Sequence, residues 1–451
     1  MVGIKGTGMS ALALALYAMG IKVTGSDASD SFFLLDPLNY GRAGIKIAPF
    51  FDAKNIPEDA DAIIVSTSHR TKNPEINKAR KLKIPILTYP EIISMLSKEM
   101  KSVAICGSHG KTTTTNMLAY VLQKAHLPIL PIAGPTSQQV LDQLPQPPLI
   151  DKRGTKGALF VFEADEYQNK LKQYSPFGVI LTNIELDHPD YFKTDAQYEK
   201  VFEQFVKRIP QEGFLVYCAD DAVVKKIAAK AICRKFSYGL SEDADFVIRP
   251  VTTPSAGSPF AIHHRSAILG VFRTTLMGKH NVLNAAAVVI AAYELGVSTE
   301  KIQNALMSFQ GSPRRMEIVS RDPLIIDDYG HHPTEIRATL QAIRSTYPDR
   351  TIWTVFHPHT FTRTKKFLKE FGDSFGESDH TIVLEIWGSA RETQGTVSSK
   401  DVVAEIKKNK GKAEYAATFE DAARLLKGKL DDDSLLLTIG AGDVWKLHKM
   451  L

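Results

Sequence analysis

Between the apolar run "SVAIC" (102–106) and a helical pattern from Thr112 to Ala125 stands "GSHGKTTTT", a glycine-rich turn ending in a lysine and four threonines. A strand that enters a tight turn and leaves as a helix gathers unpaired backbone N–H groups at the positive end of a helix dipole, which suits an anion. Gly107 and Gly110 let the backbone close around phosphate oxygens, Lys111 reaches the β- and γ-phosphates, and Thr112 offers a hydroxyl to Mg²⁺. The spacing G-x-x-G-K-T is shorter than the general G-x-x-x-x-G-K-[ST] pattern, and a threonine-rich capping turn is the competing reading. An apolar strand before it and an amphipathic helix after it favour an ATP site. Such a loop also commits the chain around it to α/β units with parallel strands.

The rest of the chain keeps that rhythm. Residues 1 to about 98 alternate β-branched runs with helical stretches, with strands expected at Val2–Ile4, Lys22–Gly25, Ile45–Ala48, Ala62–Ser66 and Ile84–Thr88 and a helix from Pro90 to Ser97. A Pro- and Gln-rich segment (134–154) reads as a mobile loop. Further strands are expected at 158–165, 177–184 and 213–220, an antiparallel excursion from Phe246 to Leu276, and a long apolar helix at 280–296. "SFQGSPRRM" (308–316) reads as a linker, after which "LIIDDYG", "TIWTVF", "HTIVLEI" and "SLLLTIG" alternate with helices. The expected architecture is α/β in three domains, bounded at 1–98, 99–311 and 312–451, consistent with 451 residues.

Composition narrows the class. A net charge of +5, with Lys and Arg spread along the chain, suits anionic small molecules and does not favour a nucleic-acid surface. Cys106, Cys218 and Cys233 form neither a disulfide framework nor a C-x-x-C pair, so a reducing, cytoplasmic setting is expected. No apolar run reaches the roughly 20 residues needed to span a bilayer. The opening "MVGIKGTGMSALALALYAMG" superficially resembles a signal peptide but reads better as strand, turn and buried helix capped by Gly20.

Acidic and histidine-bearing segments fall at strand ends, where open α/β sheets collect ligands. "FEADE" presents Glu163, Asp165 and Glu166; "TNIELDHPD" presents Glu185, Asp187, His188 and Asp190. One or two carboxylates with a nucleotide suffice for Mg²⁺. The first turn, "GIKGTGMS" with Asp27 after the second strand, breaks the G-x-G-x-x-G dinucleotide pattern at Lys5. It leaves open a nucleotide-diphosphate cradle, a dinucleotide site or a turn that binds nothing. "IDDYGHHPTEI" and "FHPHTFTRTKK" bring Asp327, Asp328, Tyr329, His331, His332, His357, His359 and Arg363 to strand ends. The spacings H-H and H-P-H suit zinc poorly, so orientation of a nucleotide or an anionic substrate is expected.

In order and spacing, "GIKGTGMS", "STSHRTKNPEI", "GSHGKTTTT", "EADE", "TNIELDHPDYF", "GKHNVLNAAAVV", "FQGSPRRME", "DDYGHHPTEI", "HPHTFTRT" and "GAGDVWKL" resemble the ATP-dependent Mur ligases of cell-wall precursor synthesis over essentially the whole chain. The resemblance implies a Rossmann-like UDP-binding N-terminal domain, a central P-loop ATPase and a Rossmann-like C-terminal domain. It implies ATP at Gly107, Ser108, His109, Gly110, Lys111, Thr112, Thr113, His280, Asn281, Asn284, Arg315 and Asp328. Mg²⁺, with Mn²⁺ as an alternative, falls to Thr112, Glu163 and His188. UDP falls to Gly3, Lys5, Gly6, Thr7, Gly8, Met9, Ser10 and Asp27, and the amino acid to Tyr329, His331 and Arg363. Lys111, Glu163, His188, Arg315 and Asp328 are the expected catalytic set.

The implied substrates are UDP-N-acetylmuramic acid and L-alanine, with no nucleic-acid or membrane partner and a monomer or weak homodimer as assembly. The chain departs from the family at Lys5, where glycine is usual, and at His357, where glutamine is common. Its first strand is short, which leaves room for a truncated start, and no carbamylated lysine is identified. A murein-tripeptide recycling ligase is the nearest rival. An NAD-dependent dehydrogenase is disfavoured by Lys5 and the phosphate loop, and a non-catalytic ATP-binding homologue by the complete catalytic set.

Overall fold

The computed structural model describes residues 1–28, 41, 43–66, 73–144, 157–250, 257–388 and 392–451. Residues 67–72 of "STSHRTKNPEI", 145–154 of the Pro- and Gln-rich loop and 251–256 of the antiparallel excursion lie outside them. Three α/β bodies follow one another along the chain, and among the described residues no helix is long and apolar enough to cross a membrane.

The first body pairs β1 (Thr24–Ser26) with β2 (Lys46–Ala48) and β3 (Ile63–Val65) with β4 (Ile86–Thr88), all parallel. The expected strand Val2–Ile4 is corrected to one residue: Val2 alone bridges Ser26 and Val65 and so joins the two pairs. Gly3 takes a positive φ of 78° and turns the chain out of the sheet, and the helix Thr7–Ala18 begins four residues later. That helix is buried along most of its length, as its Ala- and Leu-rich text requires.

The second body is a nine-stranded sheet. Its strands are β5 (Ser102–Cys106), β6 (Ile129–Ile132), β7 (Leu159–Glu163), β8 (Gly178–Leu181), β9 (Phe214–Cys218), β10 (Arg234–Gly239), β11 (Phe246–Pro250), β12 (Ser258–His264) and β13 (Ala267–Thr274), in the order β13-β12-β11-β10-β9-β8-β5-β7-β6. Pairing is parallel from β6 to β11 and antiparallel through β12 and β13, the expected excursion. The central feature for function is that β7 and β8 flank β5 directly. The helix Lys111–Lys124 is buried from Thr112 to Leu122, so it is enclosed on all sides and not amphipathic. The fully buried row Ala285 to Ala292 in the helix Lys279–Glu294 packs beside it, small side chains allowing close approach. The four threonines are poor helix formers, and this packing overrides their propensity.

Part of the segment expected to be a mobile loop is fixed: Gln138–Leu141 forms a helix with Val140 and Leu141 buried. Asn116 holds its approach, donating to Pro135 O at 2.8 Å and accepting from Ser137 N at 2.9 Å.

The third body has β14 (Glu317–Arg321), β15 (Leu324–Asp328), β16 (Thr351–Phe356), β17 (His380–Leu384), β18 (Ala413–Ala416) and β19 (Ser434–Ile439), ordered β14-β15-β19-β16-β17-β18. All neighbours are parallel except the antiparallel edge β14–β15. Apolar clusters cover both faces of this sheet. Its C-terminal edge turns toward the phosphate loop of the second body.

Candidate active site

The turn after β5 is built for backbone exposure. Gly107 has φ +133° and Gly110 has φ +82°, conformations that L side chains rarely adopt. A Cβ at Gly107 would lie 2.1 Å from Thr182 Oγ1, and one at Gly110 would lie 2.7 Å from Asn284 Oδ1. The residues after β8 lace the loop from below. Ser108 N donates to Asn183 O, His109 N donates to Asn183 Oδ1, and Thr182 Oγ1 donates to His109 O at 2.7 Å.

Lys111 folds back over this loop. Its Nζ donates to Gly107 O at 2.6 Å, Ser108 O at 3.0 Å and Glu166 Oε2 at 3.0 Å. Burial opposes its charge, but Glu166, Asp165 and Glu163 outweigh burial and raise its pKa. Glu166 is wholly buried and also accepts from Tyr198 OH at 3.0 Å.

The two flanking strands deliver the acids to one rim. Thr112 Oγ1 donates to Glu163 Oε2 at 2.9 Å, and Gly134 N donates to the same oxygen at 2.8 Å. Asp165, Glu166 and His188 place one potential ligand atom each within 4.8 Å of one another. An oxygen-rich set with one imidazole beside a phosphate loop fits a hard divalent cation.

The third body contributes the remaining charge. Of the adjacent arginines, Arg314 is structural: its Nε donates to Asp327 Oδ2 at 2.7 Å and its other nitrogens to Gly442 O and Gly440 O. Arg315 faces the site, its guanidinium 5.1 Å from the Tyr329 ring centroid, and its buried Nε meets no hydrogen-bond partner among the described residues. An unsatisfied cationic donor at this position calls for an anion. Asp328 accepts from Gly330 N and Met316 N, tying β15 to the Arg315 segment; burial lifts its pKa to about 6 against the pull of Arg315.

Contacts between the second and third bodies close over the loop. Arg363 donates through Nε (3.0 Å) and Nη2 (2.7 Å) to Asp187 Oδ1, both residues being buried. Thr334 Oγ1 donates to Glu185 Oε1 at 2.7 Å. His109 stands between Glu185 (3.1 Å) and Glu335 (3.2 Å); burial disfavours its charge, but the two carboxylates outweigh it and raise its pKa to about 9. His331 and His280 go the other way, burial and nearby arginines holding both near 4 and so neutral.

Two cavities meet at this point. The first, about 540 Å³, is lined by Thr113, His280, Asn281, Asn284, Asp328 and neighbours from β8 to β10. The second, about 490 Å³, draws on all three bodies: Gly6–Met9, then Lys111, Thr112, Glu163 and His188, then Tyr329, His331 and Arg363. His109, Gly110, Arg315 and Glu335 line both. Gly3, Lys5, Ser10 and Asp27 do not line either cavity. Asp27 Oδ2 accepts from Lys5 N at 2.8 Å and Ser10 Oγ donates to Thr7 O, so these residues shape the first turn from behind.

Several groups here carry no role in the motif reading. Glu335 was legible as the closing acid of a capping box, H-x-x-E, and the third residue of the helix Pro333–Thr346. Glu166 was visible as an acid but not as the partner of Lys111. Tyr89, Lys170 and Asp221 have no motif that marks them.

Comparison with known proteins agrees with this geometry. The Mur ligase family, catalytic domain, matches residues 1–101; the Mur ligase middle domain matches 105–292; the Mur ligase, glutamate ligase domain, matches 314–442. A UDP-N-acetylmuramate–L-alanine ligase of Desulfitobacterium hafniense is 37% identical over 454 residues, covering 100% of this chain and 98% of that protein. One from Streptococcus pyogenes is 38% identical, covering 98% and 94%. Among solved structures, a UDP-N-acetylmuramate-alanine ligase from Thermotoga maritima superposes with a TM-score of 0.78 at 25% identity, covering 99% of this chain and 96% of that one. A murein peptide ligase from Psychrobacter arcticus shares the fold, with a TM-score of 0.69 at 24% identity and coverage of 99% and 96%.

Proposed function

The chain belongs to the Mur ligase family, and on that footing we propose that it is a UDP-N-acetylmuramate–L-alanine ligase, consuming ATP to join L-alanine to the lactyl carboxylate of the sugar nucleotide. The observation that carries this reading is the shared wall of the two cavities, formed by His109, Gly110, Arg315 and Glu335. A nucleotide in the first cavity has its γ-phosphate at that wall, facing a space lined by three domains. Acceptor and amine can then both approach the same phosphorus-bearing point.

The chemistry needs positioning more than a protein nucleophile. A carboxylate is a poor electrophile at neutral pH. Attack of a lactyl carboxylate oxygen on the γ-phosphorus breaks the bond to the bridging oxygen, releases ADP and forms an acyl phosphate. The alanine amine, once deprotonated, attacks the acyl carbon, and the tetrahedral adduct collapses with loss of phosphate. Lys111 and Arg315 offset the charge on the transferring group, and the N–H groups of the Gly107–Gly110 turn hold its oxygens. Arg363, aimed by Asp187, offers its remaining N–H groups to the amino-acid carboxylate, with neutral His331 beside it. Closure of the third body over the loop keeps water from the acyl phosphate.

The residues present fit Mg²⁺: Thr112, Glu163 and His188 would hold it, and Asp165 and Glu166 lie close enough to support it. When bound, the ion neutralises charge on the nucleotide phosphates. The turn Gly6–Met9 at the head of the helix Thr7–Ala18 supports a diphosphate.

The test is phosphate release from ATP and Mg²⁺ with UDP-N-acetylmuramic acid, with and without L-alanine, and separately with L-Ala-γ-D-Glu-meso-diaminopimelate. Release that requires both the sugar nucleotide and L-alanine is expected. Release with the tripeptide alone would move the chain to the recycling branch, and none with either would sink the ligase reading.

A further inference from the structure

Tyr89 opens the helix Tyr89–Glu99, and its position is fixed locally. Glu91 accepts from Thr88 N and from Thr88 Oγ1, both at 2.7 Å, and Pro90 stands in the first turn. The ring lies on Gly8 of the first turn. A Cβ at position 8 would sit 3.2 Å from two ring carbons and 3.4 Å from the hydroxyl oxygen. Turn and ring are therefore fitted to each other, and glycine at 8 leaves the room that the ring occupies.

The ring is half-buried and lines the second cavity with Gly6, Thr7 and Ser66. Across that cavity stand Glu163 and Asp165, whose charges both act on the Tyr89 hydroxyl. Tyr198 and Tyr167 spend their hydroxyls on Glu166 and Asp190. The Tyr89 hydroxyl has no hydrogen-bond partner among the described residues.

We propose that Tyr89 is a binding residue for the N-acetylated sugar of the sugar nucleotide, its hydroxyl donating a hydrogen bond to an oxygen of the amino sugar. The inference rests on the ligase reading. If the diphosphate sits at Gly6–Met9 and the lactyl carboxylate reaches Lys111 and Thr112, the pyranose ring spans the gap between them. Tyr89 touches the first of these places and faces the acids of the second, so it stands alongside the sugar. Burial, with the two carboxylates adding to it, keeps the phenol protonated and a donor.

The experiment is Tyr89→Phe in the full chain, titrated calorimetrically without ATP against UDP, UDP-N-acetylglucosamine and UDP-N-acetylmuramic acid. Loss of one hydrogen bond is expected to weaken both sugar nucleotides about 3- to 10-fold and to leave UDP unchanged. Equal weakening for UDP, or no weakening with any of the three, overturns the assignment. Weakening of UDP-N-acetylmuramic acid alone overturns it too, moving the hydroxyl to the lactyl carboxylate. The parent enzyme is the control: if it binds none of these ligands, the ligase reading fails and the Tyr89 assignment falls with it, whereas a failure of Tyr89 alone leaves parent binding intact.

Discussion

Lys111 Nζ lies 3.0 Å from Glu166 Oε2, and Glu166 has no solvent-exposed surface. The cation that the phosphate loop needs is thus held against a buried carboxylate until an anion takes it. Removing either partner takes the nearest counter-charge from a buried ion, at a cost of up to about 3–5 kcal/mol. Lys111→Met and Glu166→Gln should each lower the melting temperature, and Lys111→Met should cut ATP turnover at least about 100-fold. The double variant is expected to regain most of the stability and none of the turnover. Thermal melts and phosphate release on the four proteins check this, and additive stability losses would contradict the pairing.

The loop glycines divide by what surrounds them. Gly107→Ala drives a methyl into Thr182 Oγ1 and the Asn183 backbone at a φ of +133°, so a loss above about 3 kcal/mol is expected. Gly110→Ala meets only the Asn284 side chain at 2.7 Å, which can move. It should fold with a loss of about 1–2 kcal/mol and weaken nucleotide binding. Denaturant unfolding and ATP-analogue titration separate the two effects.

His109 makes stability depend on alkaline pH. Its pKa is raised from 6.5 to about 9, with Glu335, Glu185 and His332 as the titratable groups facing it. The folded state therefore binds more protons between those values. The stabilisation is complete below about pH 6.5 and is lost as pH rises through 9. His109→Gln should flatten that arm of a melting-temperature profile. His331 acts oppositely: with its pKa lowered to about 4, its contribution is present above pH 6.5 and is lost as pH falls toward 4. An unchanged alkaline arm in His109→Gln would show that the imidazole is not held between Glu185 and Glu335.

Asp187 and Arg363 join the second and third bodies through buried groups 176 residues apart. Burial would raise the Asp187 pKa, but Arg363 overrides it and holds the carboxyl well below its usual value. Asp187→Asn keeps the acceptor oxygen and removes the charge. The KM for L-alanine should rise about tenfold with the KM for ATP little changed, the cost of a misaimed charged hydrogen bond. Parallel rises in both would mean that the pair serves closure alone.

Much of this molecule is written locally. The glycine spacing around Lys111, the strand before it and the helix after it specify the phosphate loop, and the alternating text places most strands within two or three residues. Glu163 ends β7 and the Tyr329–His331 segment joins β15 to the next helix, so their strand-end places were legible; His188 sits in the loop after β8, and Arg315, in the turn before β14, was marked by the family resemblance alone. The strand Val2–Ile4 was over-read, because a β-branched run does not reveal that Gly3 takes a positive φ. Likewise, the helix Lys111–Lys124 reads as amphipathic when its neighbours are out of sight.

Other relationships existed only after folding. Sheet order sets β7 and β8 on either side of β5, and that order alone makes one rim of acids 20 residues and more apart in the chain. Packing within and between the bodies decides that Arg315 and not Arg314 meets the cavities, that Glu166 becomes the counter-ion of Lys111, and that Tyr89 lies on Gly8. The sequence by itself determined the elements and the residue types at their ends, since propensity and turn chemistry act over a few residues. Tertiary structure decided the partners and the charge states, since burial and distance between remote segments set both.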